Sequence, residues 1–214
     1  MQDWKSYWFL LAGGQGLLLT IGLAARSKRS NSVLIYLAIL IGVLSVELLT
    51  NFAVSINYPN QPGAFPFWLV GSYLLIPPSL YNLARYSIGA DLFAPSRSVL
   101  LFIPAFIEIA VETGIFFLRL CGFQIPSLQG NSFWFGFTEI IPVLATLIIL
   151  FWWAIKLKQV SFIKKMGDNG KHKFLSSFAI AYGLLCYYFL VSFLWLSEAL
   201  FGWQFSNILG QLLA

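Results

Sequence analysis

The stretch Ser32-Val33-Leu34-Ile35-Tyr36-Leu37-Ala38-Ile39-Leu40-Ile41-Gly42-Val43-Leu44-Ser45-Val46-Glu47-Leu48-Leu49-Thr50-Asn51-Phe52-Ala53-Val54-Ser55-Ile56 decides the kind of protein this is. It carries one charged side chain, Glu47. About 20 consecutive apolar residues are enough to cross the hydrocarbon core of a bilayer as a helix. Working outward, runs of the same kind fall at 6–25, 67–87, 98–120, 135–157 and 174–201. With 32–56 they predict an all-α fold, a polytopic transmembrane bundle of about six complete helices in a single domain over 1–214. A fresh apolar pattern from about 206 (Ile208-Leu209-Gly210-Gln211-Leu212-Leu213-Ala214) predicts the start of a seventh.

Composition points the same way. The 214 residues are 59% hydrophobic and 10% charged, with a mean hydropathy of +0.80. Soluble domains carry roughly 25% charged residues. A water-soluble fold of this length could not hide so much apolar surface, so the lipid bilayer is the expected solvent.

The net charge of +5 does not imply nucleic acid, because of where the charges sit. Lys and Arg concentrate in Arg26-Ser27-Lys28-Arg29 and in 156–173, each between long apolar runs. That is the pattern of cytoplasmic loops, and anionic headgroups suffice as their partner. The first run is no cleaved signal peptide, since Asp3 and Lys5 cancel and the basic cluster follows the apolar stretch. The N-terminus is therefore predicted outside. The loops 57–66 and 121–134 are then external, while 26–31, 88–97 and 156–173 are internal. Aromatic residues at the run ends, Trp4, Tyr7, Trp8, Trp68, Trp134 and Trp203 among them, fit an interfacial belt. Gly13, Gly14, Gly16, Pro77, Pro78, Pro104 and Pro142 are tolerated in membrane helices, with kinks predicted at Pro77-Pro78 and Pro142. Cys121 and Cys186 differ in predicted depth by about half a bilayer, too far for a disulfide.

No catalytic signature is present. The lone histidine, His172, lies in a basic loop, and there is no Walker loop, Cys-x-x-Cys or His-Glu-x-x-His. Gly13-Gly14-Gln15-Gly16 lies within a hydrophobic helix, where close helix packing accounts for it better than phosphate binding does. No enzyme activity, cofactor or metal is expected. The chemistry worth following is acid within the membrane: Glu47, Glu108, Glu112, Glu139 and Glu198 all fall in predicted helices. Intramembrane ionisable groups are costly and usually face a bundle interior or a water-filled cavity. Glu108 and Glu112 are four residues apart and share a helix face. The candidate ligand-binding set is Glu47, Glu108, Glu112 and Glu139 with Gln15 and Asn51, in a pocket open to the outside. With no basic partner at the same depth, its natural ligands are a cation, a cationic peptide or a proton. The alternative is that protonated glutamates bond across helices to Gln15, Ser45, Thr50 or Asn51 as packing glue.

Three stretches carry a resemblance. Gly14-Gln15-Gly16-Leu17-Leu18-Leu19 is followed by Arg26-Ser27-Lys28-Arg29-Ser30-Asn31. Leu74-Leu75-Ile76-Pro77-Pro78-Ser79-Leu80-Tyr81-Asn82-Leu83-Ala84-Arg85 forms the third run, and Leu100-Leu101-Phe102-Ile103-Pro104-Ala105-Phe106 enters the fourth. Together they resemble the N-terminal seven-helix membrane domain of membrane-bound AraC-type transcriptional regulators of bacteria. The likeness covers about the first 120 residues, and thereafter helix count and the basic loop before the sixth helix. Pro77 stands where the family typically has Gly, and Leu101 where it has His. The family continues through a seventh helix into a helix-turn-helix domain. Nothing in this chain reads as a recognition helix, so no nucleic acid is expected to be bound by the chain itself. The resemblance implies a sensor of an external or membrane ligand in the bacterial inner membrane, and it allows for a homodimer. The alternative function is a small cation- or proton-coupled transporter or channel, although no convincing internal repeat relates 1–87 to 98–214.

Overall fold

The computed structural model describes residues 4–30, 33–58, 67–88, 100–123, 125, 128, 131–164, 183, 186–190 and 193–194. Among them all regular structure is helical. Helix α1 spans Trp4–Ser30 and α2 Val33–Ser55. Two 3-10 turns follow at Phe67–Val70 and Tyr73–Leu75, leading into α3 at Ile76–Ile88. Helix α4 is Ile103–Leu120. A continuous helical run then comprises α5 (Ser132–Phe135), a π-turn (Gly136–Ile140) and α6 (Ile141–Lys164). Among the described residues, three helices are long and apolar enough to cross a membrane: Ser6–Ser27, Leu34–Ser55 and Ser132–Lys156. Helix α4 is as apolar in character but carries Glu108, Glu112 and Arg119. The sixth run is helical where described, at 186–190. Glu198, His172, most of the basic loop and the segment from about 206 lie outside the described residues.

The third run departs from the expectation of one helix over 67–87. Pro77 and Pro78 have no N–H, so a helix running through from residue 67 would leave the carbonyls of Tyr73 and Leu74 without their intrahelical donors. The chain instead breaks at Gly71-Ser72 and restarts at Ile76, which puts both prolines in the first turn of α3, where an N–H has no helical partner anyway. They begin a helix rather than kink one. The break is local, and Ser72 stabilises it by accepting from the Leu74 N–H at 3.2 Å.

Packing is layered around α3, which lies between α2 and α6, while α1 packs along α2. The core joins Leu40 of α2, Leu80, Leu83 and Ala84 of α3, and Leu150 and Trp153 of α6, with Tyr188 from the sixth run. Buried polar side chains of α3 close on their own helix. Ser79 Oγ donates to the Leu75 carbonyl at 2.7 Å, and Asn82 Nδ2 to that of Pro78 at 2.8 Å. Such self-contained bonding is what a low-dielectric surrounding demands.

The α1–α2 seam is close because of glycine. A Cβ at Gly16 would overlap Ser45 Oγ, and one at Gly13 would come within 2.8 Å of Leu49 Cγ. Ser45 turns its own hydroxyl back to the Ile41 carbonyl at 2.6 Å. Outward-facing residues are large and apolar: Leu18, Ile148 and Phe151 are 72%, 70% and 68% exposed, a surface suited to lipid and not to water. Cys121 and Cys186 are both free thiols.

Candidate functional site: an acidic cavity lined by four glutamates

Four segments surround a cavity of about 330 Å³, within the range of small-molecule sites. Helix α2 supplies Val46, Glu47 and Thr50, one turn of a single face. The break before α3 supplies Gly71, Ser72 and Tyr73, and α4 supplies Glu108 and Glu112. Trp134 and Phe135 of α5 and Thr138 and Glu139 of the π-turn complete the lining. Trp134 and Thr138, and likewise Phe135 and Glu139, are four residues apart, an interval that keeps side chains close to one helix face.

The polar groups interlock. The Ser72 hydroxyl donates to Glu108 Oε2 while accepting from the Leu74 N–H, so the chain break and the carboxyl group hold each other in place. Trp134 Nε1 donates to Glu112 Oε1 at 3.1 Å. The Tyr73 hydroxyl is presented to the Glu47 carboxyl group. Thr138, buried, turns its Oγ1 to the Trp134 carbonyl at 3.0 Å.

Among the described residues the lining holds four carboxyl groups and no Lys, Arg or His. Among the described residues, no three His, Cys, Asp or Glu side chains are grouped closely enough to hold a metal ion. The glutamates are distributed round the cavity instead of converging on one point. Tyr73, Trp134 and Phe135 add aromatic surface, which attracts cations through the ring quadrupole. Chemically the cavity offers hydrogen-bond acceptors on several sides and π faces between them.

Of the residues singled out from the sequence, Glu47, Glu108, Glu112 and Glu139 come together here. Gln15 and Asn51 are exposed and do not line the cavity. Gln15 belongs to α1, which packs on α2 and contributes nothing to the lining. Sequence reasoning missed Ser72, Tyr73 and the hydrogen-bonding role of Trp134. Pro77-Pro78 was the signal for the first two, because it required a break just before α3. Compared with family models, curated proteins and solved structures, the chain matches none.

Proposed function

We propose that this chain is a membrane-embedded sensory domain whose cavity receives a cationic ligand from outside. The observation that supports the reading most directly is the cavity's lining of four carboxyl groups and three aromatic rings, with no basic side chain among the described residues. A sensor requires a ligand that binds two arrangements of the bundle differently. The cavity is built for that, because its walls come from four separate segments and occupancy by one ligand links them. The basic clusters support a multi-pass protein of the bacterial cytoplasmic membrane with its N-terminus outside. The resemblance to membrane-bound AraC-type regulators supplies the output: a cytoplasmic helix-turn-helix domain carried on the same polypeptide or acting with it.

The test uses the protein in lipid nanodiscs, titrated in turn with tetramethylammonium, spermidine and a tri-lysine peptide. At least one should raise the thermal midpoint as bound ligand stabilises the folded state. The Glu108→Gln/Glu112→Gln double variant should lose most of that rise. Equal stabilisation of both proteins, or of neither, would refute the reading. Proteoliposomes that pass the stabilising cation across the bilayer would replace the sensor with a transporter acting through the same cavity.

A further inference from the structure

The π-turn at Gly136–Ile140 separates two parts of one helix that are held very differently. Inside it, α6 is anchored: Pro142, Thr146, Leu150 and Trp153 are all buried, and the last two belong to the core. Outside it, α5 is a single turn whose Ser132, Phe133 and Phe135 are exposed, Phe133 at 79%. Asn131 Oδ1 accepts from the Phe133 N–H at 2.9 Å, and Trp134 donates to Glu112.

The buried stripe explains why a π-turn forms. Thr138, Pro142, Thr146 and Leu150 recur every four residues and are buried, and Trp134, one step before them, is half-buried. In an unbroken α-helix four residues advance about 40° beyond a full turn, so the stripe would drift by about 160° over its length. The wider loop of a π-turn takes up an extra residue and recovers much of that drift. It closes through the Ile141 N–H donating to the Gly136 carbonyl, five residues back. The next residue, Pro142, has no N–H and so cannot restore the α-type bond to the Thr138 carbonyl. At Gly136 a Cβ would meet nothing within 4 Å, so the hinge has room around it.

We propose that this π-turn is a register switch for the cavity. In the observed register Trp134 and Phe135 line it, together with Thr138 and Glu139. In the other register the run is all α-helical, and α5 is turned by one residue, about 100°, about the fixed α6. Phe135 then turns into the place that Trp134 holds and Trp134 leaves Glu112, so this wall of the cavity loses its indole donor. A ligand that contacts this wall favours the observed register, which turns occupancy into rotation of the helix end. The coupling to a ligand rests on the cationic-ligand reading above; the switch itself does not.

Pulsed electron paramagnetic resonance on the full chain in nanodiscs tests it, with Cys121 and Cys186 replaced by Ser. Spin labels go on Phe133→Cys and Leu118→Cys, both exposed positions at the outer ends of neighbouring segments. Two distances are expected, differing by up to roughly 8 Å, the chord of a 100° turn on a helix 10–12 Å across. Pro142→Ala returns one backbone donor and should raise the all-α population about five-fold, the effect of one net hydrogen bond. Deletion of Gly136 removes the extra residue and should leave a single distance. A single distance in the unaltered helix, unmoved by Pro142→Ala, would overturn the switch, and that result needs no destabilised variant. Tetramethylammonium added to the labelled protein then bears on the ligand alone. Enrichment of the observed register supports the cationic reading, and two unchanged populations count against that reading while the switch stands.

Discussion

At the residue scale, one hydroxyl does two jobs. Ser72 holds the break before α3 and donates to Glu108, so a small side chain couples backbone geometry to the cavity's acid. Ser72→Ala removes the donor to a buried carboxyl group and a cap from a 3-10 turn. A loss of about 1–3 kcal/mol is expected in reversible unfolding by sodium dodecyl sulfate, with lower affinity for any cation the cavity binds. Gly16 presents the opposite case, where what matters is the atom that is missing. Gly16→Leu should force α1 from α2 and cost about 1–3 kcal/mol, as overpacking does. Gly14→Ala, at a position with open space beside it, should instead gain about 0.5–1 kcal/mol from improved helix propensity. Opposite signs for two glycines two residues apart would distinguish a packing seam from general glycine content. The glutamates were legible in the sequence because charge is conspicuous in an apolar run. Ser72 was not, because serine is common in membrane helices and only the fold shows which carboxyl group it faces.

At the scale of elements, hydropathy located the helical runs but not where each begins. The run 32–56 became Val33–Ser55 almost unchanged, since nothing in it interrupts the backbone ladder. The run 67–87 did not, because hydropathy records apolar side chains and is silent about the two N–H groups that Pro77 and Pro78 lack. The run 135–157 became a longer one, 132–164, with Asn131 capping its start. Pro142 read as a kink; the helix absorbs it next to a π-turn, where the missing donor coincides with the altered bonding. Proline in these helices is best understood by asking which carbonyl it leaves unbonded. That question, put to residues 73 and 138, leads both times to the lining of the cavity.

On the scale of the whole molecule, lipid-facing exterior and acid-lined interior are complementary consequences of one solvent. Large apolar side chains can face outward only where the surroundings are apolar, and carboxyl groups are then left to the inside. Cys121 follows the end of α4, and the proposed topology predicts it on the outer side. A membrane-impermeant maleimide added to intact cells should therefore label the Cys186→Ser protein at Cys121, and labelling only after lysis would reverse the topology. The seam between α1 and α2 has a consequence for biosynthesis as well. Its partners are neighbours in the chain, and its closest contacts, Gly13 to Leu49 and Gly16 to Ser45, are complete once α2 has emerged. Early, local contacts of this kind form fast. The nascent protein can thus leave the ribosome with one finished wall, against which α3 is laid.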